Sequence, residues 1–370
     1  MTRKGKAQRR VKDWNSRFRK EAPGEFDTPE WETLLPQRVK IPAWRDAAQQ
    51  AEAAGQRTVG MVMGLFPGGV FVQTSQGRLQ CGLAGTFRPP KGSSALVVGD
   101  EVALALALDY SGDPDIHKQR ADGFILSRQP RRTLLSRPTP ISGKLRDQYD
   151  RENFEKVVAA NMDVLLIVAS ARQPAVPAAL IDRFCVIAER GEMKPAIVYN
   201  KIDLAQPEAD LVAELTAGGL PLFFCSAKTG QGLSELLDWA KDKRIVLAGP
   251  SGVGKSSLIN ALVPGAQVTV GEIRMKDQRG RHVTSTVTVY QLAGGGVLVD
   301  TPGVRELALG ISQAELPAFF PEIAALAGQC RFNNCSHTHE PVCAVRAAVE
   351  SGGISPRRYE SYLRMLDTIE

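Results

Sequence analysis

Four short motifs of a nucleotide site occur in this chain in an inverted order. Asn200-Lys201-Ile202-Asp203 and Ser226-Ala227-Lys228 come first. The phosphate loop GPSGVGKS, Gly249 to Ser256, and the tetrad DTPG, Asp300 to Gly303, come after them. In guanine-nucleotide-binding α/β domains the phosphate loop ordinarily comes early and the base-reading motif late. Every part is present, so the order reads as a circular permutation, in which the chain ends move while the sheet and the ligand site are kept.

The residues between the motifs fit such a sheet. Val164–Ala169 reads as a buried strand and Leu180–Glu189 as a helix. Ala196–Tyr199 and Leu222–Cys225 read as strands ending at NKID and SAK. Leu233–Ala240 reads as a helix, and Arg244–Ala248 as the strand feeding the phosphate loop, which opens a helix over Ser257–Leu262. Val287–Leu292 and Val297–Val299 read as a hairpin ending at Asp300. Strands alternating with helices predict a largely parallel sheet covered on both faces. Each motif follows a strand, where open α/β sheets bind their ligands.

Each motif implies a definite chemistry. The loop Gly249, Pro250, Ser251, Gly252, Val253, Gly254, Lys255, Ser256 and Ser257 curls so that backbone N–H groups face phosphate oxygens. Lys255 neutralises the β- and γ-phosphates, and the Ser256 hydroxyl ligates Mg²⁺. Asp300 is expected to hold Mg²⁺ through water, and the Gly303 N–H to sense the γ-phosphate. The Asp203 carboxylate can accept from guanine N1–H and the exocyclic amine, a donor pair that adenine lacks. Asn200 would brace the pocket, the Lys201 stem would cover a base face, and the Ala227 N–H would face guanine O6. Between the loop and DTPG, Thr284 is the first choice for a switch threonine on Mg²⁺, with Thr286 in reserve. Val304 follows Gly303 where many such enzymes carry a water-orienting Gln; His282 is the substitute, by proximity to the switch. An activating partner is therefore expected.

Cys330-x4-Cys335-x-His337-x5-Cys343 supplies three thiolates and an imidazole, a closed tetrahedral set suited to structural zinc, with His339 an alternative imidazole. Cys81, Cys185 and Cys225 lack partner spacing and read as small buried hydrophobes. Residues 1–20 carry nine Lys/Arg against Asp13, a charge of +8 in a chain of +6, so the remaining 350 residues net −2. Such a tail touches nucleic acid or merely solubilises. Trp14, Trp31 and Trp44 in the extension would dock on the body or stack on RNA.

Thr58–Met63, Gly69–Thr74, Leu79–Leu83, Glu101–Leu108 and Phe124–Leu126 are five short β-type runs, the pattern of a small barrel of OB type. Phe66, Phe71 and Phe87 are its core or a stacking platform. The predicted organisation is a flexible basic extension (1–55), the barrel (56–130), a basic connector (131–160), the permuted α/β domain (161–310) and a mainly helical metal-binding domain (311–370). No apolar run approaches the ~18 residues of a membrane span, and no signal peptide is read. A cytoplasmic monomer is expected.

Together these residues resemble the ribosome small subunit-dependent GTPase A family. The matching stretches are NKIDL at Asn200–Leu204, SAKTGQGL at Ser226–Leu233, GPSGVGKSSLIN at Gly249–Asn260, DTPGVRE at Asp300–Glu306 and CRFNNCSHTHEPVCAV at Cys330–Val345. The resemblance implies GTP hydrolysis stimulated by the small ribosomal subunit and a late role in that subunit's maturation. It also implies rRNA contacts by the barrel and the zinc domain. Its cofactors would be GTP/GDP, Mg²⁺ and one Zn²⁺ on Cys330, Cys335, His337 and Cys343. A switch that commonly reads His-Thr-Thr-Thr is here His282-Val283-Thr284-Ser285, and the extension before residue 57 has no firm counterpart. The rival reading is a GTP-gated RNA-binding scaffold with incidental hydrolysis; a P-loop kinase or ATPase is disfavoured by Asp203.

Overall fold

Strands β1 (Arg57–Phe66), β2 (Gly69–Thr74), β3 (Gly77–Leu83), β4 (Glu101–Leu106) and β5 (Gly123–Arg128) close into a barrel in the order β1-β2-β3-β5-β4. The computed structural model describes residues 48–53, 56–66, 69–89, 95–108, 121–138, 155–266, 287–301 and 309–369. The tail and Trp14, Trp31 and Trp44 lie outside them. The β3–β5 pairing is parallel and the others are antiparallel, the OB arrangement. Strict alternation in β2 sends Val70 and Val72 inward, where they meet Leu79, Cys81, Leu104 and Ile125. Phe87 joins this core. Phe66 and Phe71 remain half-buried, their rings 4.6 Å apart, and the Arg78 guanidinium lies 4.5 Å over Phe71.

The stretch read as a basic connector contains two strands. β6 (Leu134–Pro138) and β7 (Glu155–Ala160) pair antiparallel, with Leu135, Val157, Ala159 and Ala160 buried. Their apolar runs are short, two leucines before Arg137 in β6 and Val157 to Ala160 after Glu155-Lys156 in β7, which hid them among charged neighbours. Two arginines of this stretch reach the barrel. Arg131 donates from Nε and Nη2 to the two oxygens of the fully buried Asp100, at 2.7 and 2.9 Å, which also accepts from Val97 N. Arg132 faces Glu101. The joint between barrel and connector turns at Gly99. Its φ is +88°, and a Cβ there would stand 1.9 Å from Ala160 O.

The α/β domain is a six-stranded sheet of β8 (Val164–Ala169), β9 (Lys194–Tyr199), β10 (Leu222–Phe224), β11 (Arg244–Ala248), β12 (Thr288–Gln291) and β13 (Val297–Asp300). Its order is β10-β9-β8-β11-β13-β12, all parallel except the edge pair β12–β13. Every residue of β8 is buried, as a central strand covered on both faces requires. The helices are α1 (Ala178–Arg190), α2 (Ala209–Ala217), α3 (Leu233–Ala240) and α4 (Lys255–Leu262). In α1 the stripe Ile181, Phe184, Cys185 and Ala188 faces the core. Chain order runs outward from β8 through β9 to β10. On the other side of β8 it runs from β11 to the hairpin. The sheet therefore reverses direction between β8 and β11, where such sheets open a ligand crevice.

The last segment holds a 3₁₀ turn (Leu316–Phe319) and helices α5 (Pro321–Ala327), α6 (Ala344–Glu350) and α7 (Pro356–Leu366). It is fastened to α1 through a buried carboxylate, Asp182. Arg357 and Arg358 each donate to one Asp182 oxygen at 2.7 Å; they also reach Glu214 of α2 and Glu322 of α5. Among the described residues, no helix is long and apolar enough to cross a membrane.

Gly99→Ala should lower the stability of the barrel joint by about 2–4 kcal/mol, because the added methyl meets backbone at a left-handed φ. A shift of the urea midpoint checks this; an unchanged midpoint would show that the joint accommodates a side chain.

Candidate nucleotide site and metal cluster

The motifs that lie far apart in sequence meet beside the β8/β11 reversal. β11 delivers Gly249 to the crevice, and α4 starts at Lys255 with Gly254 as its left-handed cap, φ +96°. The helix thus presents its N-terminal amides to the curl of the loop. Lys255 Nζ donates to Gly249 O and Pro250 O, both at 2.7 Å, which holds the ammonium over the loop. Val253 is fully buried and anchors the loop, whereas Ser251 and Gly252 are exposed and Ser256 and Ser257 half-buried. Asp300 ends β13 in register with Leu247 of β11, one strand away from the loop. The neighbouring Thr301 is buried, and its hydroxyl has no hydrogen-bond partner among the described residues. Gly303, His282, Thr284 and Thr286 lie outside the described residues.

Asn200 connects three motifs. It is 2 % exposed, at the end of β9. Its Nδ2 donates to Val253 O of the phosphate loop at 3.0 Å, and its Oδ1 accepts from Ala227 N of SAK at 3.0 Å. A Cβ on Gly254 would stand 2.4 Å from Asn200 Nδ2, so the loop approaches this amide as only glycine allows. The Ala227 N–H, expected to face guanine O6, is engaged by Asn200 here; a base would have to share that donor.

Lys201, at φ +65°, runs across the phosphate loop and donates to Gly252 O at 2.6 Å and to Gln173 O. Asp203 is exposed, and its Oδ1 accepts from Ser226 Oγ at 2.6 Å, which fixes the carboxylate's orientation. Ser226 Oγ in turn accepts from Thr229 N at 3.2 Å. Lys228 is exposed. Cys225 is buried beside Asn200, and burial pushes its thiol up to about 12, so it stays neutral and acts as a small hydrophobe. Cys81 and Cys185 are likewise buried and free. The loop after β8, with Gln173 and Pro174, also touches the phosphate loop. Sequence reasoning missed it, although its place after the strand at the sheet reversal is a signal for it.

The second cluster is Cys330, Cys335, His337 and Cys343, whose ligand atoms lie within 4.8 Å of one another. Cys330 Sγ is 3.5 Å from His337 Nδ1 and 3.8 Å from Cys343 Sγ; Cys343 Sγ is 3.6 Å from His337 Nδ1. Tetrahedral zinc, with Zn–S of about 2.3 Å and Zn–N of about 2.0 Å, sets ligand atoms about 3.5–3.8 Å apart. The donors therefore fit such an ion, through Nδ1 of His337. Burial lowers the pKa of His337 against the opposing Glu340 charge, which favours the neutral imidazole. Tyr359 and Tyr362 donate from their hydroxyls to His337 O at 2.6 Å and Ser336 O at 2.9 Å. Glu340 accepts from Ser336 N and Oγ, Thr338 N and His339 N. These bonds outweigh its burial and hold its carboxyl below the usual range. His339 is exposed and outside the cluster.

This arrangement has close counterparts. The family model for the RsgA GTPase matches residues 128–310. The small ribosomal subunit biogenesis GTPase RsgA of Gemmatimonas aurantiaca is 39 % identical, over 82 % of this chain and 94 % of that protein. The chain belongs to the RsgA GTPase family. The protein of the same name from Shewanella oneidensis is 36 % identical, over 87 % of this chain and 86 % of its own. Among solved structures, YjeQ from Thermotoga maritima is 33 % identical with a TM-score of 0.62, covering 84 % of this chain and 97 % of that one. YloQ, described as a circularly permuted GTPase, is 26 % identical, also with a TM-score of 0.62, over 85 % of this chain and 96 % of its own. The RsgA membership accounts for the permuted motif order and makes the chain a GTP-hydrolysing enzyme.

Asn200→Ala should strand Val253 O and Ala227 N in a buried place. The expected cost is about 2–4 kcal/mol of stability together with a more than roughly tenfold loss of guanine-nucleotide affinity. Thermal melting and equilibrium binding measure the two effects, and retention of both would remove Asn200 from the role of connector.

Proposed function

We propose that this chain is a Mg²⁺-dependent GTPase of small ribosomal subunit biogenesis whose turnover is stimulated by that subunit. The observation that carries the reading is the meeting of NKID, SAK and the phosphate loop at Asn200, in a chain whose relatives are named for that process. Asp203 selects guanine, Lys255 neutralises the β- and γ-phosphates, and Ser256, Asp300 and Thr284 hold Mg²⁺. Gly303 senses the γ-phosphate. No side chain at Val304 can orient the attacking water; His282 or the subunit supplies that function. Intrinsic hydrolysis is then slow and the subunit accelerates it.

Cys330, Cys335, His337 and Cys343 hold one structural zinc. All four positions of the tetrahedron are filled by protein, so the ion would stabilise the segment and not act on substrate. The barrel and this segment contact rRNA, and the protein acts as a cytoplasmic monomer. The half-exposed Phe66–Phe71 pair beneath Arg78 supports a stacking role for the barrel.

GTP turnover measured with and without purified small subunits tests the main reading. Strong stimulation is expected; equal rates would favour the GTP-gated scaffold that Val304 leaves open. Asp203→Asn should weaken GTP binding and admit xanthosine triphosphate, because the amide can donate to the xanthine oxygen; unchanged GTP affinity would overturn the base assignment. Elemental analysis should find about one zinc per chain, and chelation should loosen residues 311–370 before the rest; a metal-free, fully folded protein would refute the zinc site.

A further inference from the structure

The turn that follows β8 belongs to none of the four motifs, yet it is built against the phosphate loop. Ser170 is 1 % exposed. Its Oγ donates to Pro174 O at 2.6 Å, and its own carbonyl accepts from Val176 N at 3.0 Å. Two hydrogen bonds from one buried residue therefore close residues 170–176 into a fixed turn. Lys201 Nζ then ties this turn to the phosphate loop, donating to Gln173 O on one side and Gly252 O on the other. Pro174 stands against Gly252 itself: a Cβ there would lie 3.1 Å from Pro174 Cδ, at a φ of +84°.

Gly252 has no side chain to hold its peptide in one orientation, and glycine has the widest conformational choice of any residue. Its N–H is one of those that face the phosphates in the reading above. Ordering such a residue at the moment of binding costs affinity, and holding it beforehand restores that affinity. We propose that Ser170 and Pro174 form a brace that fixes the outer turn of the phosphate loop at Gly252, which makes Ser170 a positioning residue for nucleotide binding. The proposal rests on the assignment of Gly249–Ser256 as the loop that holds the GTP phosphates. Ser170 acts through Pro174 and touches no substrate. Its effect therefore falls on binding and not on the chemical step.

Steady-state GTP turnover by Ser170→Ala and Pro174→Ala tests this. Each should raise KM about three- to tenfold, the effect of losing one internal contact, and leave kcat within about twofold. Release of a fluorescent GDP analogue should accelerate by the same factor. Preference for guanine over xanthine should not change, because Asp203 lies outside the brace. Pro174 is exposed, so its replacement leaves the core intact if Ser170→Ala disturbs folding. Since both residues act as one unit, the double variant should be little worse than either single one. Unchanged KM in both variants, a fall in kcat at constant KM, or fully additive effects would each overturn the brace. A wild-type protein that binds no GTP would instead sink the parent assignment, and the brace with it.

Discussion

One buried amide holds the nucleotide site together. Asn200 sits at the end of β9 and donates to the phosphate loop while it accepts from SAK. A primary amide can do both at once, and no other uncharged side chain of that length carries a donor and an acceptor on separate atoms. An aspartate would lose the donor and face Val253 O with charge. The approach of Gly254 leaves no room for a longer side chain. The geometry of the base-reading and phosphate-binding loops is thus set by one residue, and the permuted chain does not disturb it, because the bonds are made in space between elements that the permutation leaves in place.

The two flanking modules attach to different halves of the sheet. The barrel touches the phosphate-binding half: Glu101 pairs with Arg244 at the start of β11 at 2.6 Å, and Gln291 of the edge strand β12 reaches Gln73 at 3.3 Å. The C-terminal segment is fastened to the base-reading half through Asp182 of α1 and Glu214 of α2. In sequence that segment lies close to DTPG, with Cys330 following Gly303 by fewer than thirty residues. In space the segment returns to the helices behind β8 and β9. The buried Asp182, shared by two adjacent arginines, makes this attachment specific, because either charge alone would be costly there.

Much of this was legible in the sequence, for identifiable reasons. Strand β2 alternates cleanly, and Val164–Ala169 is apolar throughout, so their type could be read. The Cys₃His spacing is compact enough that its four residues meet in space. The strands β6 and β7 were not legible, because each offers only a short apolar run, Leu134-Leu135 before Arg137 in one and Val157 to Ala160 after Glu155-Lys156 in the other. Helix α2 was missed because only Leu215 of its residues is buried, which leaves a weak period. The turn at Ser170–Pro174 carries no motif, and its part in the site depends on a contact with Gly252 that no spacing rule describes.

The strand order has a consequence for how the chain reaches this state. β8, β9 and β10 pair as neighbours in sequence, and the β12–β13 hairpin is equally local. β11 is the seam: its ladder to β8, Ile245 beside Val164 through Ala248 beside Ile167, joins residues some eighty positions apart. Non-local pairing is slow because the intervening loop must be closed first. During synthesis the base-reading half can therefore assemble while β11 is still being made. The crevice between β8 and β11 forms only when that ladder closes, so competence to hold a nucleotide arrives after the base-reading half is assembled.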